Sequence, residues 1–510
     1  MNIEYADNAN NRVITNTMFG RMDIFASFDE ITPENVLEEL NSALVYHVQN
    51  LLQENFLYWY RRNLQPILRR RKEVRPEILN IVQENHADEI VTFKNGWFLQ
   101  SPAFFVSRRK GVQNKVNKLN EFLYRSGKQQ ADNEVVNWFH TVGKGVLYVE
   151  PTPDNEVPFV SYALDPRSAF VVYSLRPGNK PIMGVNFVVA DEKAKFDVYT
   201  ERYVFHLSGS STGRMMTTQV NQDFIASAST VDSVEPNVLG YIPIIEYRYN
   251  DINMGAFESV LPLLDAINTV QSNRLDGVEQ FIQSLAVAVN CQFDENTTAN
   301  DIRKAGMIVL KSIGENKADF RILSEQLDQQ QTQVLVDYLY EQVLRICAMP
   351  SSTKGGHSTS DTGAAVLARD GWFQATAAAR NTEDLFKKSN RQFERIIVDI
   401  LRRKGLLDID LNDFDLEISR EETANIQSKA QAFQTLMSAG FHPELAAKKS
   451  GVSNDPAADV KMSEKYLKMI WGDPDEVDKK EEQPQSTGEG EATIVEEDSF
   501  NGENETGGAV

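Results

Sequence analysis

The segment 254–285, MGAFESVLPLLDAINTVQSNRLDGVEQFIQSL, decides the fold of this chain. Its apolar residues recur at steps of three and four, which places them along one stripe of a helix, with a polar break at Gln271 and Arg274. The spacing therefore predicts one long amphipathic helix over 253–285. The members of the stripe singled out for packing are Phe257, Val260, Leu264, Ile267, Val278 and Phe281.

A second helix with the same type of stripe is predicted over 329–349, and its packing residues are Leu335, Leu339 and Val343. The insert between the two helices, 286–328, contains strand-like runs at 306–310 and 319–323, with a short helix predicted before them at 298–305. Two long helices joined by one compact insert favour a stalk over a pocket for a small molecule. Because no segment of the sequence stands out as a partner for the stripe, we expect it to pack against neighbouring subunits.

The loop after the second helix, PSSTKGGHSTSDTG at 350–363, has an unusual composition. Pro350 stops the helix, and a run of Gly, Ser and Thr this long cannot bury a core. Loops of this length within compact regions are usually functional or disordered. A third helix is predicted from 364 to 404, and Gly371 is expected to kink it.

The region before the first long helix changes in periodicity. An amphipathic helix is predicted to start at Thr32-Pro-Glu34, and helices are predicted again over 110–145. From 145 to 247, short β-branched and aromatic runs separated by turn signals predict an antiparallel β region. Residues 1–30 show little periodicity and are predicted to form a flexible arm.

Several segments, in a fixed order along the chain, resemble the portal proteins of tailed bacteriophages, of the long-tailed-phage type. The resemblance spans roughly residues 50–470. The segments that carry it are Gln65–Arg70, Asn85–Val91, Asn95–Pro102, Gly240–Tyr247, Met254–Glu258, Leu263–Ser272 and Thr362–Ala365.

The resemblance implies an α+β portal fold with long stem helices, an α/β clip, a mixed wing with antiparallel strands, and a helical crown. The implied parts are an N-terminal arm (1–30), wing (31–252), stem helix 1 (253–285), clip (286–328), stem helix 2 (329–349), tunnel loop (350–363), a long kinked helix linking to the wing (364–404), a wing strand (405–420), crown (421–472) and a disordered acidic tail (473–510).

The resemblance also implies a function and a set of partners. In this family the subunits form a ring, a homododecamer, at one vertex of the virion capsid, and the ring assembles in the host cytoplasm. Double-stranded DNA passes through it during packaging, retention and ejection, without sequence-specific binding. Expected partners are the terminase ATPase, a head-completion or adapter protein at the clip, and the major capsid and scaffold proteins. The residues expected to touch DNA in the channel are Ser351, Ser352, Thr353, Lys354, Gly355, Gly356, His357 and Ser358.

Charge and composition agree with a channel through which DNA slides. The formal net charge is −21, which argues against tight binding held by phosphate contacts. From Asp473 onward, thirteen acidic residues and two lysines give a net charge of −11 in the tail. Cys291 and Cys347 suggest a reducing compartment, and the sequence has no run of 18 apolar residues, so no membrane partner is expected.

The sequence predicts no enzymatic activity, no cofactor and no metal site. Phosphate-binding, hydrolase and zinc motifs are absent from the sequence. His86, with Glu84, Asp88 and Glu89 nearby, superficially resembles a metal cluster, but a structural helix is the better interpretation. His140 and His206 are predicted to be packed. The alternatives left open are another oligomeric head-tail connector or ring protein and, less favoured, a DNA-processing enzyme.

The aromatic run at 56–60 leaves two interpretations open. It is followed by Arg61, Arg62 and a basic cluster at 69–72. Basic residues beside aromatic ones suggest contact with nucleic acid. The favoured interpretation is a helical connection whose arginines are solvated or paired between subunits.

Overall fold

Helices and β sheets segregate along the chain, as expected for an α+β protein. The computed structural model describes residues 20–73, 76–109, 111–190, 193–212, 225–282, 285–289, 291–292, 311–312, 319–323, 329–351, 371–420, 426–453, 456, 459–463 and 466. The helices in these ranges are α1 (Val36–Arg61), α2 (His86–Phe98), α3 (Gln113–Arg125), α4 (Lys128–Val142), α5 (Leu261–Ile282), α6 (Gln329–Ile346), α7 (Trp372–Arg403), α8 (Ile426–Ser438) and α9 (Pro443–Ser450), with short 3-10 helices at Pro66–Arg69 and Glu258–Val260.

The strands form five separate sheets in the described part of the chain. Their bounds are β1 (Ile24–Ala26), β2 (Phe104–Ser107), β3 (Lys144–Pro151), β4 (Phe159–Leu164), β5 (Ala169–Ser174), β6 (Pro181–Ala190), β7 (Lys193–Tyr199), β8 (Tyr203–Thr212), β9 (Ile225–Pro236), β10 (Ile244–Arg248), β11 (Leu285–Val289), β12 (Cys291–Gln292), β13 (Lys311–Ser312), β14 (Asp319–Leu323) and β15 (Phe414–Glu417). The α+β class predicted from the sequence is confirmed.

The largest sheet has the order β1-β5-β6-β7-β8-β9, and its neighbouring strands are antiparallel except for the parallel pair β1 and β5. Alternate residues of β6, such as Val185 and Phe187, are buried, because successive side chains of a strand point to opposite faces. Leu40 and Leu44 of α1 belong to the same apolar cluster. The sheet and α1 therefore share one core.

A second core lies around the three-stranded sheet β10-β3-β4, which is antiparallel throughout. Phe139 of α4 and Phe386 and Phe393 of α7 pack in one cluster with residues of this sheet. The two-stranded sheet β2-β15 joins the same cluster through Phe105 and Phe414, whose ring centroids are 4.7 Å apart. The last predicted strand thus completes a core that begins about 300 residues earlier in the chain.

Two predicted segments, the N-terminal arm and the first long helix, have different bounds in the structure. Residues 20–30 are not a free arm, because β1 pairs with β5 and buries Ile24 and Ala26. Helix α5 begins at Leu261, where Pro262 fits the first turn, and Leu285 lies in β11, paired with Leu323 of β14. Gly371 directly precedes α7 with a φ of 85°, an angle that glycine adopts without strain, and residues 364–370 of the predicted third helix lie outside the described residues.

Other predicted elements agree with the structure. Strand β14 coincides with the predicted 319–323, and β15 lies within the predicted wing strand 405–420. The predicted helix at 298–305 and strand at 306–310 lie outside the described residues. None of the described helices is both long enough and apolar enough to cross a membrane.

The chain divides into two compact units, Met1–Gln431 and Ala432–Val510. In the second unit, Pro443 occupies the first turn of α9, and the His442 ring accepts a hydrogen bond from the backbone N–H of Glu444. The helix ends at Gly451, which has a φ of 65°. Helices α8 and α9 lie within residues 421–472, and the assignment of this segment to a helical crown stays a prediction.

Candidate functional site

Helices α5 and α6 form the antiparallel pair on which the candidate site is built. At one end the Cys347 thiol lies 3.6 Å from the carbonyl oxygen of Ala256, to which it donates. At the other end Nη1 of Arg274 donates to Oε1 of Gln333 at 2.7 Å. Residues late in α6 therefore meet residues just before α5, and residues early in α6 meet residues late in α5, so the helices run in opposite directions.

The first half of the predicted packing stripe is buried within the chain, contrary to expectation. These residues share a core with Tyr60 of α1 and Ile90 of α2. The expectation that the stripe has no partner within the chain is therefore wrong for this half, because α1 and α2 cover it. The predicted residues buried in this way are Phe257, Val260, Leu264, Ile267 and Val343, with Leu339 partly buried beside them.

The other half of the pair carries apolar side chains on its surface. Val278 of α5 is 43% exposed and Leu335 of α6 is 46% exposed, and both belong to the predicted packing set. The side chain of Phe281 lies outside the described residues. Leu275, Val334 and Tyr338 are further exposed large apolar residues of the pair. We call these five residues (Leu275, Val278, Val334, Leu335 and Tyr338) the exposed face.

The described residues on either side of the predicted tunnel loop lie close together. A Cβ atom built on Gly371 would lie 3.7 Å from the carbonyl oxygen of Met349 and 3.7 Å from Cα of Pro350. Ala348 has a φ of 51°, which turns the chain at the end of α6. Of the residues expected to touch DNA, Ser351 is described, whereas 352–358 lie outside the described residues. The start of the loop at Pro350 therefore lies beside Gly371, where α7 begins.

An extended segment, 78–84, binds along α5 through a ladder of hydrogen bonds. The backbone N–H groups of Glu84, Val82 and Asn80 donate to the side chains of Asn268, Ser272 and Asp276, at 2.8, 3.0 and 2.7 Å. Residues four apart on a helix are separated by about 6.0 Å, close to the roughly 6.6 Å between alternate residues of an extended chain. This match of repeats lets every rung of the ladder form.

Asp276 carries most of the charge in the ladder. Its Oδ2 atom accepts from Arg70 at 2.8 Å and from Lys72 at 3.0 Å, and only 5% of its side chain is exposed. Burial acts to raise the pKa of Asp276, but hydrogen bonds from Arg70, Asn80 and Lys72 outweigh it and lower the pKa to about 2. The basic cluster at 69–72 is therefore used partly within the chain, to fix segment 78–84 on α5.

Comparison with known proteins identifies the family. The sequence model described as "Phage portal protein, SPP1 Gp6-like" matches residues 49–471. The chain belongs to this family. It is a phage portal protein, a structural component of the phage particle whose family forms a multimeric ring. The family thus agrees with the resemblance found in the sequence.

Two further comparisons add little. No curated protein matches this portal chain. Among solved structures, it is similar to a chain of the structure titled "Neck of empty GTA particle computed with C6 symmetry", with 11% identity and a TM-score of 0.41. That similarity covers 72% of the portal chain and 90% of the other chain.

Another contact fixes the start of α2 against the helix pair of the portal chain. The His86 ring lies between Glu84 Oε2 at 2.9 Å and Glu89 Oε2 at 2.7 Å, and Tyr340 of α6 donates to Glu89 at 2.5 Å. Burial lowers the pKa of His86. The hydrogen bonds to both carboxylates raise this pKa by more than burial lowers it, so the net shift is upward. Within the described ranges, no group of three or more His, Cys, Asp or Glu side chains is placed to hold a metal ion.

The two other histidines discussed above and the two arginines after the aromatic run have different surroundings. His140 is buried, as predicted, whereas 41% of the His206 side chain is exposed, where it pairs with Asp197, so the prediction that it is packed is wrong. Arg61 pairs with Asp88, and Arg62 lies over the Tyr58 ring at 4.5 Å. The structure places these two arginines in contacts within the chain.

The hydrogen-bond ladder between segment 78–84 and α5 was not predicted from the sequence. The available signal was the spacing of four between Asn268, Ser272 and Asp276.

Replacing Asp276 by Asn is expected to destabilise the protein by about 2 kcal/mol at pH 7, because the folded-state pKa lies nearly two units below the ordinary value. Because its pKa is lower in the folded state, the Asp276 carboxylate stabilises the protein above about pH 4, and this stabilisation is lost as the pH falls towards 2. The difference between wild type and Asp276→Asn should therefore shrink from pH 5 to 2.5 in urea unfolding monitored by tryptophan fluorescence. Asp251→Asn, at an exposed position, is the control. A difference that stays constant with pH would contradict this role of the charge.

Proposed function

We propose that this protein forms a dodecameric ring at one capsid vertex, and that double-stranded DNA passes through the ring during packaging, retention and ejection. We further propose that the terminase ATPase docks on the ring and that an adapter protein binds the region 286–328. The observation that carries the proposal is the family match over 49–471, which includes both helices of the antiparallel pair.

The exposed face supports packing of the helix pairs side by side in the ring. Its five apolar residues are 43 to 65% exposed, whereas the first half of the predicted stripe is buried against α1 and α2. Contiguous exposed apolar patches mark interaction surfaces. A second copy of the pair would remove these side chains from water, at about 25 cal/mol for each Å² of apolar surface buried.

Changing Val278 and Leu335 together to Asp is expected to prevent ring assembly while leaving the subunit folded. Both side chains are nearly half exposed, so the charges cost little in the free subunit, but they would be repelled and desolvated between subunits. Native mass spectrometry and negative-stain images would measure assembly, and thermal unfolding would measure folding. The matched control is Val188→Asp with Leu175→Asp, at positions 63% and 69% exposed outside the pair. Intact rings from the Val278/Leu335 variant would contradict the proposal.

The net charge of −21 supports a channel that does not grip DNA. Each lysine or arginine in contact with a phosphate adds a salt-sensitive attraction, so a strongly basic wall would hold the duplex in place. Acidic groups on the wall would instead repel the duplex towards the axis, and screening over about 8 Å at physiological salt keeps that repulsion short-ranged. In this arrangement Lys354 and His357 of the loop would make weak contacts that break easily as the DNA moves.

Lys354→Glu is expected to impair DNA packaging while rings still form, because it replaces an attraction to phosphate by a repulsion at the loop. The defect should depend on ionic strength, since salt screens both effects. An in vitro packaging assay with purified terminase and proheads measures the fraction of protected DNA. Lys354→Gln, which removes the charge without reversing it, should be less impaired. Normal packaging by both Lys354→Glu and a deletion of 353–358 would refute a role for the loop.

A further inference from the structure

The ring of His86, the first residue of α2, has a carboxylate beside each of its two nitrogen atoms. Nδ1 lies 2.7 Å from Oε2 of Glu89, and Nε2 lies 2.9 Å from Oε2 of Glu84. An ionised carboxylate only accepts hydrogen bonds, so each ring nitrogen must carry a hydrogen to make its bond. A neutral imidazole has one N–H group, whereas the protonated ring has two. The geometry therefore fits the protonated, positively charged form of His86.

The two carboxylates are held by different helices of the antiparallel pair. Oε1 of Glu84 accepts a hydrogen bond from Nε2 of Gln271, on α5, at 2.7 Å. Oε1 of Glu89 accepts a hydrogen bond from the hydroxyl of Tyr340, on α6, at 2.5 Å. The rings of His86 and Tyr340 also lie against each other, with centroids 4.7 Å apart. The protonated His86 ring thus joins a carboxylate held by α5 to a carboxylate held by α6.

The charge on the His86 ring depends on a balance of opposing effects. Burial, the largest effect, lowers its pKa, and the positive end of the α2 dipole also disfavours a cation at this position. The hydrogen bonds with Glu89 and Glu84 raise the pKa, and the net shift is upward. The other acidic residue in the first turn of α2, Asp88, pairs with Arg61 of α1. The balance leaves a ring whose proton depends on its two carboxylate partners.

The next charged groups on α5 and α6 contact neutral side chains of the same network. Nη1 of Arg274, on α5, donates to Oε1 of Gln271 at 2.9 Å and to Oε1 of Gln333 at 2.7 Å. Nε2 of Gln333, on α6, donates to Oδ1 of Asp337 at 2.6 Å. Gln271 thus lies between the Arg274 guanidinium and Glu84. The glutamate carboxylates remain the charged groups in direct contact with the His86 ring.

The other histidines that the structure describes have different partners. His47 and His140 are buried, and burial lowers the pKa of both, which keeps their rings neutral near pH 7. His206 pairs with one carboxylate, that of Asp197, and the His442 ring accepts a hydrogen bond at the start of α9. Within this set, the bridge between two carboxylates belongs to His86.

We propose that His86 is a pH-sensitive clasp between α5 and α6, whose protonated ring bridges Glu84 and Glu89 around pH 6 and releases one of them as the pH rises. The neutral ring donates to one carboxylate and turns the lone pair of its other nitrogen towards the second. Without the positive charge between them, the two carboxylates also repel each other. Loss of one proton therefore removes the link between the carboxylate on α5 and the carboxylate on α6.

The clasp weakens the attachment of α6 as the pH rises. A histidine whose pKa is raised in the folded state contributes stability that is fully present below its ordinary pKa of 6.5, and this stability is lost as the pH rises through the folded-state pKa. Helix α6 ends at Ile346, shortly before Pro350, where the predicted tunnel loop begins. The protonation of His86 therefore sets how firmly the helix that leads into this loop is held. This device does not depend on the passage of DNA through the ring.

The test is amide hydrogen exchange of the full-length protein, measured by mass spectrometry between pH 6 and 9 and corrected for the intrinsic effect of pH. Exchange in α6 should rise about tenfold with pH, the ratio expected for losing one hydrogen bond to a charged group. Residues 386–401 of α7, which pack in another core, should show no such rise. A wild-type protein with equal α6 exchange at pH 6 and 9, or with the same rise in 386–401, would overturn the proposal.

His86→Gln, which is neutral at every pH, should exchange in α6 at pH 6 as fast as the wild type does at pH 9, without a pH dependence. The matched control is His206→Gln, which removes a histidine paired with one carboxylate on the largest sheet and should keep the wild-type dependence. An unchanged pH dependence in His86→Gln would contradict the clasp.

A second variant, Tyr340→Phe, covers the case in which His86→Gln does not fold. It removes the hydroxyl that joins Glu89 to α6 and leaves both carboxylate partners of His86 in place. Hydrogen exchange at the histidine ring carbon, also read by mass spectrometry, should give a pKa of His86 above 6.5 in the wild type and in this variant. The pH dependence of α6 exchange should be lost in Tyr340→Phe. A wild-type His86 pKa at or below 6.5, or a full pH dependence of α6 in Tyr340→Phe, would overturn the proposal.

Discussion

Leu264→Asp is expected to prevent folding of the subunit rather than only its assembly. The side chain is 1% exposed and packs in the core that α5 shares with α1, α2 and α6. Removing a buried leucine costs roughly 2–5 kcal/mol, and burying a carboxylate in its place adds to that cost. Because folded domains are stable by only about 5–15 kcal/mol, the loss should be a large part of the total. Soluble yield and the urea midpoint of the purified protein measure the effect.

Val278→Asp on the same helix is the matched control for Leu264→Asp. Val278 is 43% exposed, so the new carboxylate stays in water and the free energy of unfolding of the subunit should change by less than about 1 kcal/mol. The comparison separates the two halves of the predicted stripe: the first half is needed for the fold, and the second is proposed for contact between subunits. Equal loss of folding by both variants would show that Val278 also belongs to the core.

Glu258→Ala is expected to destabilise the protein by about 3–5 kcal/mol, the usual cost of removing one partner of a buried ion pair. The Arg21 side chain is fully buried and pairs with Glu258, which is itself 6% exposed. Glu258 also accepts from the backbone N–H groups of Gly20 at 3.0 Å and Gly255 at 2.8 Å. Its removal would leave a buried guanidinium and two backbone donors without this partner.

A double-mutant cycle tests that assignment. Arg21→Met combined with Glu258→Leu removes both charges and keeps apolar bulk, so the double variant should be more stable than Glu258→Ala. Glu258→Gln keeps acceptor atoms without the charge and should fall between wild type and Glu258→Ala. Chemical denaturation at pH 7 gives the free energies of unfolding for all variants. A double variant as unstable as Glu258→Ala would show that the backbone hydrogen bonds, rather than the charge pair, dominate.

Local patterns were sufficient for much of the secondary structure of this chain. Short β-branched and aromatic runs separated by turn signals predicted antiparallel strands over 145–247, and the structure contains them. The proline in the first turn of α9 and the glycine after its end are local signals of the same kind. These signals lie within a few residues of one another, which is why one sequence reveals them.

Contacts between distant segments were not predictable in the same way. The sequence of β1 is only three residues long, and its pairing with β5 joins positions almost 150 residues apart. Asn268, Ser272 and Asp276 look like an ordinary solvated face of a helix until segment 78–84 is placed on it. Polar residues at helical spacing carry no information about the segment that will bind them.

The sequence by itself determined that this chain is an α+β portal protein with two long amphipathic helices and a Gly/Ser/Thr loop after the second. Periodicity fixes which residues share a helix face, and the ordered segments fix the family. Only the tertiary structure decided that Leu264 is buried within the subunit while Val278 is exposed, although both belong to one stripe. The reason is physical: the period of a helix specifies an apolar face, but the surface that covers it depends on packing against α1 and α2, which are distant in the sequence.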